Sequence, residues 1–239
     1  MAHRVFNLEE VADYLHVSKE NVEELVKQGE IPFERKGGRL VFRRNELDAW
    51  ASKRILGLPD KKLADYHKTS SVKSHDLSDT HTIMPELIHP EFIHPAMTSK
   101  TKNSIIRDMV ELADKTGLLY HPEDLRVSIE EREQMCPTAL GGGMAILHPH
   151  TQNPFMSEDS FIVLGKTIQP IPFGSPDGRT TDIFFMLCSQ DDRIHLHVLA
   201  RICMMCHHTD LLFHLRETDN ADHMYEAILS AENEVIEAL

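Results

Sequence analysis

Tryptophan occurs once in this chain of 239 residues, cysteine four times, and no apolar run comes near the length of a membrane span. A helix that crosses the hydrocarbon core needs roughly 18 or more consecutive apolar residues. The N-terminus also lacks the charged, apolar and small-residue succession of a secretory signal. These absences predict a soluble, cytoplasmic protein with no membrane insertion. In that compartment Cys136, Cys188, Cys203 and Cys206 read as reduced thiols, because disulfides rarely persist there. An excess of positive charge is missing too. Residues 1–56 balance 10 Lys/Arg against 10 Asp/Glu, while the remainder carries 15 against 28, so the whole net charge of −13 sits in the C-terminal part. A surface of that sign repels a polyanion, which excludes nucleic-acid binding by that part alone. The 41% apolar content supports proper cores, and two domains fit the length.

What is present begins with two short helical patterns. Asn7 is placed to cap a helix with Leu8, Val11, Ala12 and Leu15 on one face, and Ser18 to cap a second with Val22, Leu25 and Val26. His16-Val17 makes the turn between them. After Gly29 and Pro32 the chain becomes extended, and Gly37-Gly38 is a strong two-residue hairpin turn with Arg35, Lys36 and Arg39 at its tip. A third helix starts at Asn45, and Trp50 is expected to pack beneath the other two. The ordered set Leu8-x-x-Val11-Ala12-x-x-Leu15-x-Val17-Ser18, Gly29-x-Ile31-Pro32, Gly37-Gly38-Arg39 and Glu46-Leu47-x-Ala49-Trp50 resembles the excisionase-type winged helix-turn-helix domain. That resemblance implies DNA as a partner, with the second helix in the major groove and the hairpin on the backbone. Lys19, Asn21, Lys27, Arg35, Lys36 and Arg39 are the candidate contacts. The same helix carries Glu20, Glu23 and Glu24, a poor phosphate-contacting surface, so a protein-interaction module is the alternative.

Residues 57–83 are polar and aperiodic and read as a linker. The near-repeat Ile88-His89-Pro90-Glu91-Phe92-Ile93-His94-Pro95 reads as proline-broken strands or turns. Thr98 or Ser99 is expected to cap a helix bearing Ile105, Met109, Leu112 and Ala113 and ending at Gly117. Asp124–Glu133 forms a second, acidic helix that delivers Arg132 close to a glycine run. Phe161–Leu164 and Ile183–Leu187 are unbroken apolar runs of strand length, as strands buried on both faces require. The expected fold is α/β (α+β): a C-terminal mixed β-sheet covered by helices on both faces over 84–239, with a small winged module over 1–56.

The glycine run Gly141-Gly142-Gly143 leads through Met144–Leu147 to an exposed-looking His148. Glycine amides approach phosphate oxygens closely, and a neutral imidazole is a competent nucleophile near neutral pH. With Arg132-Glu133, Thr138, the Gly165–Phe173 segment before Gly178, and His195-Leu196-x-x-Leu199-Ala200, these residues resemble the type 2 enzyme IIA domain of the phosphoenolpyruvate-dependent phosphotransferase system. The resemblance covers about residues 84–239 and names the class of fructose, mannitol and nitrogen-related members. It implies that His148 takes a phosphoryl group from phospho-HPr and passes it to an acceptor not yet known. It also implies that His195 helps to hold the phosphate and that Arg132 is the nearby arginine. Leu147 stands where that family usually has proline, which removes a fixed φ there.

The resulting expectation is a phosphotransferase-system regulatory protein, a phosphohistidine phosphotransferase component coupled to DNA binding. Its alternative is a transcriptional or protein-interaction module whose IIA domain is degenerate and takes no phosphoryl group. No cofactor is expected. Zinc on His148, His150 and His195 is disfavoured by Pro149 and by the divergence of His195 and His197 on a helix. Cys203-Met204-Met205-Cys206-His207 matches the local haem-attachment pattern but continues the helix of Leu196 and Leu199, so two partly buried thiols are the preferred reading. His121, His214 and His223 read as surface or capping residues.

Overall fold

A computed structural model of the chain describes residues 5–15, 17–57, 63, 66, 81–150, 156–190 and 192–238, the last span without the side chains of 192 and 193. Of the expected linker, 58–62, 64–65 and 67–80 lie outside the described residues, as does His16 of the expected turn. Leu63 is fully buried, so part of that segment packs on the protein.

The N-terminal module opens with strand β1 (Val5–Phe6) and helix α1 (Leu8–Tyr14). Asn7 closes a capping box: its side chain accepts from the amides of Glu9 and Glu10, and the Glu10 carboxylate accepts from the Asn7 amide at 2.7 Å. Ser18 caps α2 (Lys19–Gln28), and Gly29 ends it at φ 70°, a left-handed turn that favours glycine. Strands β2 (Glu34–Lys36) and β3 (Arg39–Arg43) are joined by Gly37 and Gly38, both at positive φ as a type I′ hairpin demands. Helix α3 (Arg44–Leu56) follows directly, and Val11, Val22, Phe42 and Leu47 form a core of wholly buried side chains. Trp50 packs against this core as expected, half-buried, and also donates its indole N–H to the Glu30 carbonyl just past α2 and lies under the Arg54 guanidinium.

The C-terminal domain begins at the short helix α4 (Met84–Leu87), then a 3₁₀ turn at Pro90–Phe92 and strand β4 (Ile93–Met97). Pro95 is tolerated there because β4 is an edge strand. Helix α5 (Lys102–Asp114) is capped by Thr101, not by Thr98 or Ser99. The Ser99 hydroxyl is already spent on Asp108, whereas Thr101 and Ser104 exchange a capping box. Helix α6 (Pro122–Met135) has proline in its first turn and Glu123 and Asp124 at its positive end. Strands β5 (Ala139–Leu140), β6 (Met144–Leu147), β7 (Phe161–Ile171) and β8 (Thr181–Cys188) complete a mixed five-stranded sheet of order β4-β7-β8-β6-β5. Both long strands outrun their apolar stretches, because buried polar residues such as Lys166 and Thr181 continue the ladder. Helices α7 (Asp192–His208), α8 (Leu211–Glu217) and α9 (Ala221–Glu237) finish the domain, and the sheet is flanked by helices, α5 lying on β7, α7 on β8 and α9 on β4. No helix among the described residues is long and apolar enough to cross a membrane.

Candidate active site

Three elements converge on one polar cluster inside this frame. Strand β6 is wholly buried and ends at Leu147, which pairs with Met186 of β8, so His148 is presented where the ladder stops. Helix α6 brings Arg132 in its last turn, and α7 brings His195 in its first. The two imidazole rings lie 5.0 Å apart, centre to centre.

His148 is held in one tautomer. Its Nδ1 lies 2.8 Å from the Ile146 carbonyl, which can only accept, so Nδ1 carries the proton. Nε2 then offers a lone pair, and Arg132 donates its Nε–H to it at 3.1 Å. Arg132 is itself aimed by a second bond, Nη1 to the Cys136 carbonyl at 2.7 Å. The next residue fixes the helix end: the Glu133 carboxylate accepts from the Thr138 amide and hydroxyl and from Lys102 Nζ. Arg132 and Glu133 thus divide the work of aiming a guanidinium and clamping its helix to the start of β5.

His148 is 1% exposed, contrary to the exposed position expected from sequence. The strand end is roofed by other elements, which a run of apolar residues before a histidine does not disclose. Burial pushes the His148 imidazole well below its ordinary range, with Arg132 and His195 adding to the effect. Burial, then Arg132, lowers His195 to about 3. Both rings are therefore neutral, and the nucleophilic lone pair on His148 persists at mildly acidic pH.

That neutrality carries a stability cost in acid. Each ring stays neutral when folded but binds a proton when unfolded below about pH 6.5, so stability is complete above that pH and falls as pH drops toward the folded values. The expected slope is roughly 1.4 kcal/mol per pH unit for each histidine. Urea unfolding between about pH 7 and pH 5 checks it, and His195→Gln should flatten the slope. Equal slopes for parent and variant contradict it.

The glycine run is placed elsewhere, and its expected phosphate-binding role needs correction. Gly141, Gly142 and Gly143 form the β5–β6 turn, separated from His148 by the length of β6, about 16 Å at the usual rise per residue. Their polar groups are also engaged: the Gly142 amide donates to Asp177, the Gly142 carbonyl accepts from Arg216, and the Gly143 carbonyl accepts from the Asp182 amide. Glycine is required there for a geometric reason, positive φ at Gly142 and Gly143.

Among the other histidines, the His150 amide donates to Ser128 Oγ at 2.9 Å, and His197 is fully buried in α7. No cluster of three or more His, Cys, Asp or Glu side chains suited to a metal occurs among the described residues. Cys203 and Cys206 are buried, with burial pushing the Cys203 thiol up to about 12, and His207 beside them is exposed. In the N-terminal module Lys19 pairs with Glu9 and Lys36 with Glu34, while Asn21, Lys27, Arg35 and Arg39 are exposed. One residue at the cluster carries no sequence signal at all: Ser52 of α3 places its hydroxyl 3.4 Å from His195 Nε2.

Comparison with known proteins gives the family and the fold. The family model described as phosphoenolpyruvate-dependent sugar phosphotransferase system, EIIA 2, matches residues 86–231, and a helix-turn-helix domain model matches residues 5–55. A nitrogen regulatory protein of Bradyrhizobium diazoefficiens is 32% identical over 130 residues, covering 53% of this chain and 83% of that protein. The fructose-specific EIIABC component of the phosphotransferase system of Bacillus subtilis is 26% identical over 145 residues, 60% of this chain, which spans only 22% of that larger protein. The crystal structure of the nitrogen regulatory protein IIA-Ntr from Neisseria meningitidis superposes with a TM-score of 0.56 at 21% identity, covering 62% of this chain and 99% of that one, a likeness of fold.

Proposed function

Because the chain belongs to the phosphoenolpyruvate-dependent sugar phosphotransferase system EIIA 2 family, with a helix-turn-helix domain before it, we propose that His148 accepts a phosphoryl group from phospho-HPr on Nε2. The observation that carries the proposal is the fixed tautomer: Nδ1–H on the Ile146 carbonyl, with the Nε2 lone pair turned to the Arg132 guanidinium. In the transfer, that lone pair forms the new N–P bond as the bond between phosphorus and the carrier breaks. No proton has to leave His148, since Nε2 carries none; the ring keeps Nδ1–H on the Ile146 carbonyl and takes up a positive charge beside the phosphoryl oxygens. The Arg132 Nε–H passes from Nε2 to a phosphoryl oxygen, and His195 stands across the pocket to hold another. A loose phosphoryl transition state asks a protein mainly for in-line positioning and charge stabilisation, which a buried guanidinium bonded to one of two adjacent neutral imidazoles supplies.

The role is regulatory, in keeping with the similarity to a nitrogen regulatory protein. The winged module supplies the output by binding DNA through α2 and the β2–β3 hairpin, with Lys27, Arg35 and Arg39 among its exposed cations. Pairing of Lys19 and Lys36 within the module lowers its phosphate-contacting charge, so a shallow salt dependence of binding is expected, readable in a mobility-shift titration.

The test is transfer from phosphoenolpyruvate through purified enzyme I and HPr to the full chain. Acid-labile label on the parent that His148→Ala removes supports the reading; label that survives His148→Ala overturns it. Gly143→Ala separates this site from a glycine-cradle alternative. Its new Cβ would lie 2.8 Å from Arg216 Nη2 and 3.2 Å from the Thr180 carbonyl, at a φ of +82°. A loss of about 1–3 kcal/mol of stability is expected with an unchanged rate of labelling below the melting transition. A large fall in rate would return the glycines to the phosphate site.

A further inference from the structure

Helix α3 belongs to the winged module, yet it packs on α7, the helix that brings His195 into the cluster. Ser52 sits in that contact at 3% exposure, with its hydroxyl 3.4 Å from His195 Nε2. His148 and His195 are 1% and 3% exposed, so a phosphoryl group carried by another protein has no open path to Nε2 while the elements remain as they are. Transfer requires an in-line approach to that nitrogen, hence a movement of something that covers the pair. Most of the enclosing elements are integral to the C-terminal sheet and its helices. Helix α3 is different, because it comes from the other module.

We propose that α3 is an internal plug on the phosphoacceptor face, and that phosphorylation of His148 and seating of α3 through Ser52 exclude each other. The proposal rests on the reading of His148 as phosphoacceptor. The Ser52 hydroxyl holds the Nε2 side of His195, the ring that a phosphoryl group on His148 would meet, while His195 Nδ1 is buried without a hydrogen-bond partner. A phosphoryl group brings negative charge, offset in part by the positive charge the His148 ring takes up, and several strong acceptor oxygens into a dry pocket. It recruits Arg132 and His195, and the crowded, newly charged pocket disfavours the serine helix. Coupling of this kind is reciprocal at equilibrium: whatever holds α3 in place, including a DNA site that favours the seated module, also disfavours the phosphorylated state.

The experiment uses the full chain. Ser52→Arg introduces a long cation against His195 and Arg132 and should unseat α3, raising the rate of label acceptance from phospho-HPr at least ten-fold over the parent. Ser52→Ala removes only the hydroxyl and should also accept faster, by a smaller factor. In the parent, hydrogen exchange of residues 44–56 and 194–208 should accelerate on phosphorylation. Ser52→Arg at the parent's rate, or Ser52→Ala slower than the parent, overturns the plug; the latter makes the hydroxyl a positioning group for His195. Unchanged exchange in α3 and α7 after the parent is labelled overturns it as well, and that measurement stands even where Ser52→Arg fails to fold. A parent that takes no label removes the phosphoacceptor reading itself, and with it the proposal, a result distinct from a labelled parent whose α3 stays protected.

Discussion

Arg132→Gln is expected to slow phosphoryl acceptance at His148 by about two to three orders of magnitude, the usual cost of removing one preorganised donor from a developing negative charge. The magnitude follows from placement. Arg132 is 2% exposed, its Nε–H is already on the nucleophilic nitrogen, and its Nη1 is anchored to the Cys136 carbonyl. A guanidinium held in that way needs little reorganisation when the phosphoryl group arrives. Arg132→Lys keeps a charge but loses the fork, since an ammonium cannot serve both the Cys136 carbonyl and the phosphate with fixed geometry, and most of the loss should remain. Stopped-flow or quench-flow labelling from phospho-HPr reads both rates. A change of less than about three-fold in Arg132→Gln would show that the arginine only fills space. Glu133→Gln should give a smaller, indirect effect, because Glu133 acts through Thr138 and Lys102 on the helix that carries Arg132.

Glu232→Ala is expected to be the most destabilising single change among the polar residues. Its carboxylate is wholly buried on α9 and accepts from the amides of Ile83 and Met84 at 2.9 and 3.0 Å and from Arg201 Nη1 at 3.2 Å. Arg201, equally buried, lies on α7 with His195. The pair therefore ties the start of the C-terminal domain, its last helix and the helix of the active-site histidine together. Removing one partner of a buried ion pair costs about 3–5 kcal/mol, because charge and amides are left without their acceptor. For a domain of this size that corresponds to a fall in melting temperature on the order of 10 °C. Glu232→Gln keeps an acceptor oxygen and should lose less, whereas Arg201→Met combined with Glu232→Leu removes both charges and should recover only part of the loss, since the Ile83 and Met84 amides still lack their acceptor. Calorimetry of the three proteins checks the ordering, and a Glu232→Ala melting point within about 2 °C of the parent contradicts it.

Much of the fold was legible because its signals are local. Asn7 with Glu10, Ser18, Gly29 and the Gly37-Gly38 turn each need only a few neighbours to do what they do, and all do it in the structure. The apolar stretches around Ile162 and Phe185 are strands for the same reason, since a central strand must be apolar on both faces. Errors arose where the deciding partner is remote. Thr101 caps α5 because the Ser99 hydroxyl is engaged by Asp108 nine residues on. The glycine run looks like a phosphate cradle by composition, yet the intervening β6 carries it to the far end of the sheet, where Asp177, Asp182 and Arg216 use its polar groups. The burial of His148 depends on elements far along the chain. Ser52 and His195 are 143 positions apart, and a serine in a helix has no pattern that marks it for such a contact.

The most direct test of the account is a long-range proton–nitrogen NMR spectrum of the full chain, recorded before and after incubation with phosphoenolpyruvate, enzyme I and HPr. His148 should begin as the neutral tautomer with the proton on Nδ1. After incubation its Nε2 should carry the phosphoryl group while Nδ1–H remains on the Ile146 carbonyl, and His195 should stay neutral throughout. A phosphoryl group on Nδ1, on another histidine, or on none would contradict it.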